Sequence, residues 1–198
     1  MTGRVRVLLV TPAVGAELRE ARFGDDAPLD GAGLRQARAV AGGLPRSDRQ
    51  ARAESRRCRE TAQALGLAAA DAVPALGDLD AGRWRGRSLA EVAGAEPAAV
   101  AEWLADPEAA PHGGESVAAL VARVGGWLAS CAEGRLLAVV EPAAVRAAVV
   151  YALGLPPQVF WRLDVPPLTL TELTGGAGRW NLRCGRPLGA GPPEPWTQ

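Results

Sequence analysis

A chain of 198 residues has the length of a single domain, and 48% hydrophobic with 22% charged residues is the composition of a folded globular protein rather than a disordered or fibrous one. All 22 basic residues are arginine, which excludes mechanisms that need a side-chain amine, such as a Schiff-base lysine or the lysine of a phosphate-binding loop. Acidic and basic residues balance at a formal net charge of +0, so no overall field favours nucleic acid or an anionic membrane as partner.

The run from Val5 to Val10 is apolar and rich in β-branched residues, which predicts a strand buried on both faces at the centre of a parallel sheet. It is too short to span a membrane. After a loop rich in turn formers (Phe23, Gly24, Asp25, Asp26, Pro28), Leu34, Ala37, Ala41 and Leu44 fall on one helical face, and Gly42, Gly43 and Pro45 end that helix. A second helix is expected from Arg56 to Leu65. Ser88 and Glu91 have the spacing of a capping box opening an Ala-rich helical stretch that Pro97 interrupts. From Ser116, the residues Val117, Leu120, Val121, Val124 and Leu128 give a long amphipathic helix. Leu136 to Val140 reads as another buried strand, and Ala143 to Leu153 as a helix covered on most sides. Leu168 to Thr171 and Trp180 to Leu182 alternate around Gly175 and Gly176, which predicts a closing hairpin.

Strands alternating with helices imply an α/β fold, a three-layer sandwich with a mostly parallel central sheet flanked by helices. The expected domain covers residues 1–184, with a Pro- and Gly-rich C-terminal tail over 185–198. Ligands in such folds sit beyond the carboxyl ends of the strands, here just after Val10 and Val140. Cys58, Cys131 and Cys184 are widely spaced and form neither a disulfide framework nor a zinc-ligand pattern, and His112 is the only histidine. The expectation is therefore a cytoplasmic protein with no metal and no cofactor. Its partner would be a small molecule or another protein, and an oligomer is left open.

Six segments in chain order resemble the histidine phosphatase superfamily, the phosphoglycerate-mutase-like fold. Val7 to Val10 stands where that family has the strand leading into its Arg-His-Gly motif. Pro28-Leu29-Asp30 with Gly33 and Gln36-Ala37 is similar to the pattern opening its first helix. Arg56 to Ala62 resembles the segment carrying a phosphate-binding arginine, which falls on Arg57. Asp78 to Gly86 resembles its Glu-x-x-x-Gly-x-Trp-x-Gly stretch and carries Trp84. Gly113 to Ser116 is similar to its Gly-Gly-Glu-Ser turn, and Val139 to Arg146 stands where it has a strand, a second histidine and an arginine.

The resemblance breaks at the catalytic positions. Where the family has its nucleophilic histidine, this chain reads Thr11-Pro12-Ala13, and where it has the second histidine, Glu141. Proline offers neither a nucleophilic nitrogen nor an N–H, and loss of a nucleophile costs roughly 10⁴ to 10⁶ in rate. The resemblance implies two arginines and two histidines against one carboxylate; the matching positions here hold Arg57 against Asp78 and Glu141. A phosphate about 4 Å from an uncompensated carboxylate is repelled by roughly 4 kcal/mol at an effective dielectric near 20. The expected protein is thus a degenerate member, retained to bind a small molecule or a partner through Arg57, Thr11, Pro12, Asp78, Glu141, Trp84 and His112. The alternative is a repurposed enzyme in which Glu141 and Asp78 do acid–base work while Arg57 holds an anion. A residual phosphatase using His112 or Thr11 ranks third. The bland counterpart for Glu141 is an ion pair with Arg57 that fills an empty pocket; for His112, an exposed loop position; for Cys58 and Cys131, core packing, against a Cys58 thiolate activated by Arg57 and Arg59. The cluster Arg56, Arg57 and Arg59 reads as solvated helix surface rather than a nucleic-acid patch.

Overall fold

Burial of the β-branched run places β1 (Val5–Val10) at the middle of the sheet, with every residue but Arg6 buried. The computed structural model describes residues 4–15, 20–24, 26–176 and 178–189. In chain order, β1 is followed by α1 (Gly31–Val40), β2 (Arg49–Arg52), α2 (Arg56–Ala64), β3 (Asp71–Ala72), α3 (Leu89–Ala95) and α4 (Pro97–Ala105). Then come α5 (Val117–Ser130), β4 (Gly134–Val139), α6 (Pro142–Leu153), β5 (Thr169–Gly176) and β6 (Arg179–Pro187). The six strands form one mixed sheet in the order β3-β2-β4-β1-β5-β6. The pairs from β3 through β1 are parallel, and the β5–β6 hairpin closes one side antiparallel. This is the α/β sandwich expected from the alternation of strands and helices.

Local chemistry accounts for the helix boundaries. Ser88 accepts from Glu91 N while the Glu91 side chain accepts from Ser88 N, so the capping box forms as read, and Pro97 starts α4 instead of continuing α3. Ser55 and Ser116 cap α2 and α5 by accepting from Cys58 N and Ala119 N. In α6 seven of the 12 residues are buried, consistent with its apolar circumference. It lies so close to α5 that a Cβ on Gly125 would sit 2.1 Å from the Tyr151 ring. Glycine is required there by contact.

Strands β2 and β3 have no counterpart among the expected elements. Both are short, and the only buried residue in β2 is Ala51, so neither has the apolar run that marks a strand. Position supplies what composition lacks, since β2 pairs with β4 from Arg49 to Arg52. At the C-terminal end, β6 runs to Pro187 and Leu188 is buried, so the folded chain extends beyond Gly185, where the tail was expected to begin. Residues 190–198 lie outside the described residues. A second apolar cluster, built from Ala81, Trp84, Val92, Val100 and Trp103, stands apart from the main core and brings α3 and α4 against the 78–86 segment. Among the described residues no helix is long and apolar enough to cross a membrane.

Candidate functional site

Strands β1, β2 and β4 run parallel, so the residues following them converge at one end of the sheet. There the N-termini of α2 and α6 open toward a common point, an environment that favours negative charge. The chain itself supplies that charge. Glu141, at the N-cap of α6, leaves its own helix uncapped and turns its carboxylate to α2. Its Oε1 accepts from Ser55 Oγ at 2.7 Å and from Arg57 Nε at 3.4 Å, and Oε2 accepts from the Arg57 terminal nitrogen. Cys58 Sγ approaches Oε1 at 3.5 Å. Glu141 is 2% exposed and Arg57 9%, so this is a buried, forked ion pair. Burial pulls the Arg57 guanidinium's pKa down, but the charge and hydrogen bonds of Glu141 outweigh it and leave the group more basic than usual. Burial, then the Glu141 charge, push the Cys58 thiol well above its ordinary range, so the activated thiolate weighed from sequence is not favoured.

The ion pair forms the floor of a cleft of about 440 Å³, whose other walls include Gly24, Asp26, Glu54, Asp78, Leu79, Asp80 and Arg85. The lining holds five carboxylates (Asp26, Glu54, Asp78, Asp80 and Glu141) against two guanidiniums, Arg57 and Arg85. Arg85 is paired with Asp80 at 2.9 Å. Protein crowding and then the Glu141 charge push the Asp78 carboxyl above the usual range. Asp78 retains exposed surface at the cleft mouth, and water there screens part of the crowding. Asp80 moves the other way, held low first by the backbone N–H of Gly82 and then by Arg85. A smaller hollow of about 190 Å³ adjoins the cleft, shares Gly24, Arg57, Asp78 and Leu79 with it, and is walled by Phe23, Trp103, Trp161 and Arg146.

The sequence profile of the Histidine phosphatase superfamily (branch 1) matches residues 15–185. The chain belongs to the histidine phosphatase superfamily. Among solved members, the mycobacterial glucosyl-3-phosphoglycerate phosphatase superposes with a TM-score of 0.80 at 23% identity, covering 93% of this chain and 99% of that one. A putative alpha-ribazole-5'-P phosphatase from Escherichia coli gives 0.80 at 20% identity, with coverage of 94% and 99%. At these identities the likeness is one of fold. No curated protein matches the chain.

Within this family fold, three of the residues singled out from sequence meet in the cleft: Arg57, Asp78 and Glu141. The remaining four do not line it. Thr11 is 1% exposed and stitches the end of β1 to β5: its Oγ1 donates to Pro166 O at 2.6 Å and accepts from Thr169 N at 3.0 Å. A threonine so committed is a structural hydroxyl. Pro12 is buried and does not line the cleft. Trp84 is fully buried in the second apolar cluster, with its ring 5.6 Å from that of Trp103. His112, expected on an exposed loop, is 1% exposed and packs 5.0 Å from the Trp84 ring. Its Nδ1 accepts from Gly114 N at 3.0 Å, and burial lowers its pKa, so it is a neutral core imidazole. The same turn brings Gly114 so close to the 78–86 segment that an added Cβ would lie 2.0 Å from Asp80 O.

Sequence reading missed Ser55, Asp26, Glu54, Asp80 and Arg85 as cleft residues. Ser55 carried a usable signal, because a serine immediately before a helical run is an N-cap candidate and an N-cap faces the helix's open end. The others reach the cleft through loop paths that no local pattern encodes.

Proposed function

We propose that this member of the histidine phosphatase superfamily has lost phosphohistidine chemistry and uses the cleft to bind a small cationic or neutral molecule, or a basic segment of a partner protein. The observation that carries this reading is the charge of the cleft: five carboxylates against two guanidiniums, one of which, Arg57, already holds Glu141. A phosphate dianion entering would have to displace a carboxylate fixed to both Arg57 and Ser55 and then face Asp78. Two further facts support it. The chain's one histidine is packed against tryptophans and does not line the cleft, and the Thr11 hydroxyl is committed to Pro166 O and Thr169 N. Glu141, between two helix N-termini, stands in for the anion such a site attracts. The adjoining hollow adds an apolar wall of Phe23, Trp103 and Trp161. The fitting ligand is therefore amphipathic, its polar or cationic end at Asp78 and Asp80 and its carbon body against those rings.

One observation favours a second reading, acid–base catalysis on a carbon substrate: burial and then the neighbouring Glu141 push the Asp78 carboxyl up, while Arg57 and Ser55 hold Glu141 in place. A carboxyl raised in this way can serve as a general acid.

A matched pair of probes tests the proposal: an aryl ammonium and an aryl phosphate, with binding read by tryptophan fluorescence and turnover by released phosphate. The expected result is saturable binding of the ammonium, weakened by Asp78→Asn, with neither binding nor hydrolysis of the phosphate. Hydrolysis of the aryl phosphate that disappears in Arg57→Ala would overturn it. Mass spectrometry of small molecules carried through purification identifies the natural ligand without presuming a reaction.

A further inference from the structure

On one face of the sheet lies a second concavity, of about 400 Å³, which shares no lining residue with the cleft. The β1 residues of this concavity are Arg6 and Leu8, and from β6 it reaches Arg186, whereas the floor of the cleft is built from residues that follow β2 and β4. Six arginines line this groove: Arg4, Arg6, Arg46, Arg135, Arg183 and Arg186. Glu172 is the only carboxylate among its lining residues, and it pairs with Arg6 at 3.1 Å. The guanidiniums of the other five form no ion pair among the described residues, although the backbone N–H of Arg135 donates to the Asp48 carboxylate at 2.8 Å.

Sheet register produces this convergence. Arg135 of β4 stands opposite Arg6 of β1, which stands opposite Thr174 of β5, opposite Asn181 of β6. The next row on the same face runs through Leu8, Glu172 and Arg183. Like charges directly opposite across a strand pair destabilise a sheet, so Arg6 beside Arg135 is unfavourable unless something neutralises them. Glu172 is one negative charge among six positive ones. An anion bound here would balance the remainder, and arginine's planar fork of donors matches phosphate oxygens.

We propose that this groove is a binding site for a polyphosphate chain, either free or carried on a nucleoside. Several guanidiniums around one small concavity suit a ligand with several charges close together, and Leu8, Pro45 and Leu182 offer apolar wall to a ring attached to it. A nucleic-acid strand fits less well, because the lining has no aromatic side chain on which bases would stack. The site is independent of the proposed function of the cleft.

Isothermal titration of the full chain at low salt, with inorganic triphosphate, ATP and a short single-stranded DNA as separate titrants, tests this. Triphosphate should bind and weaken as salt is raised. Arg135→Ala and Arg183→Ala, both at exposed positions, should each cost about tenfold in affinity, and more together, with the melting temperature kept. ATP binding more tightly than triphosphate assigns the nucleoside form, and equal affinity the free chain; either supports the site. The proposal is overturned if triphosphate does not bind, if DNA binds where triphosphate does not, or if the doubly substituted protein binds as well as the wild type. It is also overturned if Arg85→Ala, in the cleft, removes the binding.

Discussion

Breaking the Arg57–Glu141 pair should be among the most destabilising single changes in this protein. Both side chains are nearly enclosed, at 11% and 3% exposure, so removing one leaves the other buried without a counter-charge. For a buried pair that costs about 3–5 kcal/mol. At about 2–4 °C per kcal/mol for a domain of this size, Glu141→Ala should lower the melting temperature by roughly 6–20 °C. Glu141→Gln, which keeps the volume and an acceptor for Ser55, should lose less. The informative comparison is a double-mutant cycle. Arg57→Leu alone strands the Glu141 carboxylate, whereas Arg57→Leu with Glu141→Leu leaves no charge behind and should be far less destabilised than the two singles combined. Thermal unfolding followed by far-ultraviolet circular dichroism at neutral pH measures all four corners. Additive losses, or a Glu141→Ala protein melting within about 2 °C of the wild type, would refute the claim that these two residues are fixed by one another.

Three other expectations concern groups whose roles the fold has decided. His112 is held neutral by burial, so the unfolded chain takes up a proton more readily than the folded one; the stability this contributes is complete above the unfolded value of about 6.5 and is lost as the pH falls from there toward the lowered folded value. Melting temperatures across that range should fall in the wild type and fall less in His112→Phe. Asp78 shifts the opposite way: its carboxyl is harder to ionise in the folded protein, so it weakens folding progressively as the pH rises from the ordinary carboxylate range through its raised value. Asp78→Asn should therefore raise the melting temperature at mildly alkaline pH and have little effect near pH 4; a loss of stability at alkaline pH would contradict this. Gly125→Leu should separate α5 from α6, costing about 1–3 kcal/mol from overpacking, visible as a lower urea midpoint.

What could be read in the chain divides by how local the determining physics is. Val5 to Val10, the Ser88–Glu91 box, Pro97 and the apolar circumference of α6 each encode their element within a few residues, and the structure places all of them as read. Arg57, Asp78 and Glu141 were legible as one site because ordered resemblance to the family carried long-range information that spacing lacks. The four residues that do not line the cleft fail for a common reason. Thr11, Pro12, Trp84 and His112 are polar, kinked or aromatic residues at positions next to a site, and whether such a side chain turns toward a cleft or into the core depends on neighbours far away in sequence. For Thr11 the deciding neighbour is Thr169, and for His112 it is Trp84. Strands β2 and β3 were invisible because the sheet, rather than their own composition, holds them.

A net charge of zero was the least informative property of the whole chain, because it is a sum over two separate sites of opposite sign. Parallel strands point their carboxyl ends, and the helices that follow, toward the cleft, where carboxylates gather five to two over guanidiniums. The groove lies on the sheet face that carries Arg6 and Leu8, and there arginines outnumber the single carboxylate six to one. The alternation Arg4-Val5-Arg6-Val7 already carried the clue: a strand of period two that puts arginine on every other residue before turning fully apolar is buried at one end and half open at the other. If both proposed readings hold, the acidic cleft favours cations and the basic groove anions, and a molecule bearing a polyphosphate should bind at the groove and not in the cleft.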